Sequence, residues 1–146
     1  MAIDPAGNLC YYPGTGGTGM STFGPRILVG TGWTGYTADV TSVSPPGLNS
    51  TVIVAVDSNG NLWLYPNTGG SGTSTFGAPI QIGSGWQGWQ AVVLGELGAG
   101  QPANIFGIDA SGNLWFYPNA NSGASDWASW GTPIQVGTGW TGYQIN

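Results

Sequence analysis

The chain has 146 residues, including 28 Gly, eight Trp, six Tyr and four Phe, and its single Arg, with no Lys or His, leaves a net charge of -5. One cation cannot neutralise many phosphates, so we expect neither a nucleic-acid surface nor an interaction with anionic membranes. Without His or Lys, Ser-His and Cys-His catalytic pairs and metal sites built on His or paired Cys are excluded, so we expect a non-enzymatic protein without cofactor or metal.

One segment occurs three times along the chain. It reads D-P-A-G-N-L-C-Y-Y-P from Asp4, D-S-N-G-N-L-W-L-Y-P from Asp57 and D-A-S-G-N-L-W-F-Y-P from Asp109. From Asp4 to Asp57 is 53 residues and from Asp57 to Asp109 is 52. A period near fifty residues, built from short strands and glycine turns, is typical of a β-propeller. We therefore expect a single domain with approximate repeats at 1–36, 37–89 and 90–146, and with one terminal blade split between the two ends.

Each copy begins with a predicted hairpin. The Asp can accept hydrogen bonds from backbone amides ahead of it, and the Gly three residues later can take a positive φ. The strand that follows is apolar on both faces, as in L-W-L-Y, which favours a position between neighbouring sheets. Cys10 occupies the position of Trp63 and Trp115, so we expect it to be a small core residue.

The rest of each repeat predicts three more strands. A connector rich in Gly, Ser, Thr and Asn, predicted to be a surface loop, leads to a strand such as P-I-Q-I-G, and that strand ends at a G-x-G-W corner. Two further strands are predicted at Tyr36 to Val43 and Val52 to Val56, and again at Trp89 to Leu94 and Asn104 to Ile108. Four strands make one antiparallel propeller blade.

The number of repeats predicts self-association. The chain supplies two and a half to three blades, whereas closed propellers have about four to eight. Open flanks would expose apolar sheet faces, which mark association sites. We expect a ring closed by copies of the chain, with a homodimer of about six blades favoured and a trimer of about nine ranked second.

Aromatic residues are the best candidates for a binding site. Trp33, Trp86 and Trp140, each followed three residues later by Tyr36, Trp89 and Tyr143, recur at the glycine-framed corners. Their rings either fill the core between blades or leave edges at the rim, where an aromatic face suits a pyranose. Candidates in the third connector are Asn119, Asp126, Trp127 and Trp130, which also fit an ordinary solvated loop. The recurring Asp4, Asp57 and Asp109 could form a glycosidase pair, but their identical turn positions favour turn capping.

These motifs resemble two related families. The D-x-x-G-N-L-W-L-Y-P, F-G-x-P and I-G-x-G-W series is similar to the FG-GAP or VCBS propeller repeats of secreted bacterial proteins, and the third copy resembles the tachylectin-2 type of propeller lectin. The resemblance implies a secreted β-propeller lectin that binds N-acetylated (GlcNAc-type) or similar sugars between its blades, although the N-terminal M-A-I-D-P lacks the basic and apolar regions expected of a secretory leader. Calcium binding, common in FG-GAP repeats, is not expected, because Glu96 is the sole carboxylate in the corresponding segments.

The predicted function is therefore multivalent binding of neutral or N-acetylated sugars in repeated pockets between blades. Two alternatives stay open. In one, the chain is a non-catalytic protein-interaction or accessory propeller module whose rings are purely core. In the other, it is a self-assembling propeller fragment that binds no sugar.

Overall fold

A computed structural model describes residues 1–41, 51–97, 103–120 and 130–143. Within these ranges the protein is all-β and forms three antiparallel sheets. Sheet 1 consists of β1 (Ala2–Ile3), β2 (Leu9–Tyr11) and β3 (Ile27–Gly30). Sheet 2 consists of β4 (Thr37–Thr41), β5 (Val52–Val56), β6 (Leu62–Pro66) and β7 (Ile80–Gly83). Sheet 3 consists of β8 (Ala91–Gly95), β9 (Asn104–Ile108), β10 (Leu114–Tyr117) and β11 (Ile134–Gly137).

Each sheet is a meander in which every strand pairs with the next strand along the chain. The predicted four-stranded unit is confirmed in sheets 2 and 3, and sheet 1 has three strands among the described residues. A register shift recurs at the same point of each sheet, between Leu9 and Cys10, Leu62 and Trp63, and Leu114 and Trp115. The three sheets are therefore copies of one structural unit in the details of their pairing as well as in sequence.

The Asp-x-x-Gly-Asn turns have the predicted capping geometry. Oδ1 of Asp57 accepts from the backbone N–H groups of Asn59 and Asn61, both at 2.9 Å. Oδ2 accepts from Nδ2 of Asn61 and from the indole Nε1 of Trp63, also at 2.9 Å. Gly60 has a φ of 78°, which a residue with a Cβ rarely adopts. The prediction that this Asp has a local structural role is confirmed.

The first turn differs because a cysteine replaces the tryptophan. Cys10 is 1% exposed, which confirms it as a small core residue, but its thiol does not reach Asp4. Nη1 of Arg26 instead lies 3.1 Å from Oδ2 of Asp4, the oxygen equivalent to the one that Trp63 binds at Asp57. In sheet 1, a cation directly before β3 thus takes the place of the indole donor that β6 supplies in sheet 2.

Two hydrophobic cores lie between the three sheets. Leu9, Val29 and Trp33 of sheet 1 pack against Ile53 and Ala55 of sheet 2. The opposite face of sheet 2 packs against sheet 3 through Val52, Val54, Leu62, Leu64, Ile82, Val92, Leu94 and Ile105. The strand β6 therefore alternates between the two cores, with Leu62 and Leu64 on one side and Tyr65 on the other, as its two-sided apolar pattern predicted.

The first two connectors each contain a structured element that the sequence pattern did not indicate. Single-turn 3-10 helices occupy Gly19–Ser21 and Gly72–Ser74. The second of these lies beside β3 of the preceding sheet. Hydroxyl groups close the turn locally, since Oγ1 of Thr75 donates to the carbonyl of Gly72 at 2.7 Å. The connector is therefore part of the contact between sheets as well as a link between strands.

The corner after each sheet is held by the Asp-x-x-Gly-Asn turn of the same sheet. The backbone N–H of Trp86 donates to the carbonyl of Gly60 at 2.9 Å, and the pairs Trp33–Gly7 and Trp140–Gly112 repeat the bond at the same distance. A methyl group added at Gly60 would lie 2.7 Å from the backbone nitrogen of Gln87. Only a glycine allows the turn to approach the backbone of the corner this closely. The close approach fixes the position of the tryptophan backbone. In the described residues, no helix is long and apolar enough to cross a membrane.

Candidate functional site

A cleft of about 240 Å³ opens between sheets 2 and 3. Four aromatic side chains line it, namely Trp86, Trp89, Tyr117 and Trp130, together with the backbone of Gly83 to Gly85 and Gly131. We call this the aromatic cleft. It combines residues from a corner, from strand β10 and from the third connector, so it exists only because two sheets pack together.

The aromatic rings of the cleft contact one another. The ring centroids of Trp86 and Trp89 lie 4.5 Å apart, and those of Trp86 and Tyr117 lie 5.0 Å apart, both with tilted planes. Trp86 is only 5% exposed, so most of its ring fills the core. Trp89, Tyr117 and Trp130 are half-buried and present their free surfaces to the opening.

Two glycines make room for these rings. A methyl group added at Gly83 would lie 2.6 Å from Nε1 of Trp86, and one added at Gly107 would lie 2.7 Å from the ring of Trp89. Real Cβ atoms do not approach other atoms so closely, so a side chain at either position would displace a cleft ring. The cleft therefore requires residues without a side chain at these two positions.

The wall formed by Trp130 is fixed by hydrogen bonds across sheets. Its indole Nε1 donates to the carbonyl of Ile82 at 2.7 Å. Asn119 pairs with Trp130 in an isolated β-bridge, and its Nδ2 donates to the carbonyl of Ala103 at 3.2 Å. The backbone N–H of Asn119 also donates to Oδ1 of Asn104 at 3.0 Å. Asn119 therefore anchors the start of the connector, and Trp130 anchors its end.

The described part of the cleft is electrically neutral. None of the described residues that line it carries a charge. Burial raises the pKa of Tyr117, and the negative charge of Asp109 raises it further, so the phenol stays protonated and can donate a hydrogen bond. Hydrogen bonds, the largest from Trp115, hold the pKa of Asp109 at about 2 and keep its carboxylate ionised in the turn. The site can therefore offer apolar faces and neutral donors to a ligand.

The other predicted aromatic residues occupy two further places. Trp33 and Tyr36 lie between sheets 1 and 2, where the Trp33 ring centroid is 4.6 Å from that of Tyr65. Trp140 and Tyr143 lie beyond sheet 3, with ring centroids 5.4 Å apart, and Tyr143 is 60% exposed. Asp126 and Trp127 lie outside the described residues.

Sequence reasoning did not select the two tyrosines that complete the aromatic groups. Tyr65 and Tyr117 each precede a proline and stand two residues after Trp63 and Trp115. Alternate residues of a strand face the same side of a sheet. The repeated Trp-x-Tyr-Pro pattern therefore placed each tyrosine on the same face as its tryptophan. The sequence therefore contained the pattern: within each of these two repeats of about fifty residues, the two aromatic residues are spaced two positions apart.

The three recurring carboxylates lie in the turns of three different sheets. Asp4, Asp57 and Asp109 each serve the turn of a different sheet through their own hydrogen bonds. Within the described ranges, no three His, Cys, Asp or Glu side chains are grouped so that they could hold a metal ion. Among the described residues, the aromatic cleft is where three of the predicted binding residues, Trp86, Trp89 and Trp130, line one opening.

In comparisons with known proteins, no family model matches the chain, and no curated protein or solved structure matches it significantly. Function must therefore be inferred from the cleft and from the repeated motifs.

Proposed function

We propose that this protein binds carbohydrate, and that the aromatic cleft between sheets 2 and 3 takes one neutral or N-acetylated sugar ring. The observation that carries the proposal is the neutral set of half-buried rings, Trp89, Tyr117 and Trp130, around a glycine backbone. The C–H face of a pyranose packs on such rings, while its hydroxyl groups need donors and acceptors at the edge.

The size and chemistry of the cleft fit a small ligand. Its volume of about 240 Å³ lies below the roughly 300–1,000 Å³ of pockets for drug-sized ligands, so it suits a single ring. The protonated hydroxyl of Tyr117 supplies a donor, Ser84 adds a second hydroxyl, and Gly83 and Gly85 have no side chain that would obstruct a sugar. The methyl group of an acetamido substituent would pack on the same rings as the pyranose.

We further propose that the three sheets are blades of a β-propeller that copies of the chain complete. Sequential four-stranded meanders that pack face to face support this architecture. A second aromatic group, formed by Trp33, Tyr36, Tyr65 and Phe76, lies between sheets 1 and 2. Repeated sites of low individual affinity would bind a multivalent glycan tightly.

The proposal is tested with sugar titrations of matched variants. In Tyr117→Phe, the ring is kept and one donor is lost, so affinity for a GlcNAc-type sugar should fall about fivefold. In Trp89→Ala, a stacking face is lost, and affinity should fall about tenfold or more. Trp63→Phe, at a tryptophan that does not line the cleft, should bind as the parent protein does.

Isothermal titration calorimetry and sugar-observed NMR would measure these affinities, with circular dichroism as the check on folding. Absence of binding to a broad panel of neutral and N-acetylated sugars at millimolar concentration would refute the proposal. The exposed side chains of Phe23 and Val136 would then favour the alternative of a self-assembling propeller fragment that binds no sugar.

A further inference from the structure

Two apolar faces at opposite ends of the array of sheets have no neighbour within the described residues. The first, which we call the outer face of sheet 3, includes Val136, Trp140 and Tyr143. The second, the outer face of sheet 1, includes Tyr12 and Phe23. Val136 is 51% exposed, Tyr143 60%, Tyr12 40% and Phe23 64%.

Equivalent positions inside the array show what normally covers the outer face of sheet 3. Val29 of sheet 1 and Ile82 of sheet 2 hold the place of Val136 in their repeats, and they are 5% and 2% exposed. The neighbouring sheet buries both of them. Trp33 and Trp86, which correspond to Trp140, are likewise buried at 6% and 5%. The outer face of sheet 3 is therefore built like two faces that a further sheet covers.

The outer face of sheet 1 has the complementary character. Phe76 and Trp130, which correspond to Phe23, are half-buried because each packs on the core of the preceding sheet. Tyr65 and Tyr117, which correspond to Tyr12, place their rings 4.6 Å and 5.0 Å from the tryptophan of that sheet. In the described residues neither Tyr12 nor Phe23 belongs to a core cluster.

We propose that the outer face of sheet 1 of one copy packs on the outer face of sheet 3 of another copy. The contact repeats the packing already formed twice inside the chain, between sheets 1 and 2 and between sheets 2 and 3. Tyr12 then lies on Trp140, as Tyr65 lies on Trp33, and Phe23 covers Val136, as Trp130 packs beside Ile82. The contact joins two different patches, so it is heterologous and closes into a ring or extends.

A second copy is favoured as the occupant because the chain itself carries both halves of this interface. A different partner would have to reproduce the shape and spacing of Tyr12 and Phe23 independently. The five residues named on the two faces are uncharged, so the net charge of -5 opposes the approach through charges elsewhere on the chain, which salt screens.

The contact also completes a third aromatic pocket. Trp140 and Tyr143 of one copy correspond to Trp86 and Trp89, and Tyr12 and Phe23 of the next copy correspond to Tyr117 and Trp130. The site is incomplete in either copy alone. Its ligand, a sugar, rests on the proposed function, whereas the association rests on the two faces.

Sedimentation velocity at micromolar concentration tests the association without any sugar. The parent protein should sediment as a discrete oligomer, whereas Val136→Asp and Phe23→Ser should each weaken association by about tenfold or more. Both residues are exposed in the single copy, so neither change disturbs its core. Leu97→Asp, at an exposed apolar residue outside both faces, is the matched control and should keep the oligomer.

Mixing the two weakened variants tests the heterologous geometry. The Val136→Asp copy keeps an intact face on sheet 1, and the Phe23→Ser copy keeps an intact face on sheet 3, so the mixture should form one-to-one pairs. A parent protein that stays monomeric, or an oligomer that Leu97→Asp dissociates equally, would overturn the inference. An oligomer that forms but binds no sugar would support the association and count against the proposed function alone.

Discussion

The indole N–H of Trp130 donates to the backbone carbonyl of Ile82 at 2.7 Å, across 48 residues of sequence. The bond ties the connector of sheet 3 to the last strand of sheet 2 and fixes one wall of the aromatic cleft. In the equivalent place between sheets 1 and 2 stands Phe76, whose ring has no donor. The two inter-sheet contacts thus share a shape but differ in one polar bond.

Trp130→Phe should remove this bond while keeping an aromatic ring. The carbonyl of Ile82 loses its indole donor, so the free energy of unfolding should fall by about 1 kcal/mol. Urea denaturation, followed by circular dichroism, measures the change. An unchanged midpoint would mean that water replaces the indole at no cost.

Gly107→Ala should destabilise the contact between sheets 2 and 3. The added methyl group would lie 2.7 Å from the ring of Trp89 and 3.2 Å from that of Trp86, and such overpacking costs about 1–3 kcal/mol. Gly14→Ala is the matched control, since nothing lies within 4 Å of a methyl group there and the change should be nearly neutral. Equal effects of the two substitutions on the urea midpoint would contradict the proposed crowding.

Acid should destabilise the fold between pH 4 and pH 2. Hydrogen bonds, the largest from Asn61, lower the pKa of Asp57 to about 2, and the pKa of Asp109 is also lowered to about 2. A carboxyl group whose pKa is lower in the folded state stabilises that state above its ordinary pKa of 3.8. This stabilisation is lost as the pH falls through the folded value. Melting temperatures that stay constant from pH 5 to pH 2 would contradict the expectation.

Trp115→Phe should raise the pKa of Asp109 from about 2 toward its ordinary value of 3.8. The reason is that the Trp115 indole, 2.8 Å from Oδ2, is the largest of the interactions that lower this pKa. Asp57 retains its own partner, Trp63, and serves as an internal reference. NMR titration of the side-chain carboxyl carbons resolves the two groups. A shift of Asp57 equal to that of Asp109 would indicate a general loss of structure.

Local patterns in the sequence predicted the turns and strands well. The Asp-x-x-Gly-Asn turn depends on contacts within six residues, so its capping bonds could be inferred from the motif. The sequence also showed that the first repeat has Cys10 where the second has Trp63. It did not show the compensating bond from Arg26 to Asp4. That bond depends on the pairing of β2 with β3, which places Arg26 beside the turn.

The composition of the cleft was harder to predict, because it depends on how whole sheets pack. Trp86 and Trp89 lie three residues apart at the same corner, yet Trp86 is 5% exposed and Trp89 is half-buried. Both rings pack against Gly107 and Tyr117 of the next sheet, which lie 18 to 31 residues further along the chain. A repeat pattern identifies such rings as candidates but does not divide them between core and rim.

The hydrogen bond from the Trp86 amide to the Gly60 carbonyl lies within a single repeat. Because the same repeat supplies the turn and the tryptophan that the turn positions, a duplicated gene segment would encode both partners of this bond. Duplication of one repeat would therefore need no compensating substitution in the others. Each added repeat would also form a new contact between sheets, whose residues could then diverge. Differences such as Phe76 and Trp130 show how ligand preference could then drift from one junction to the next.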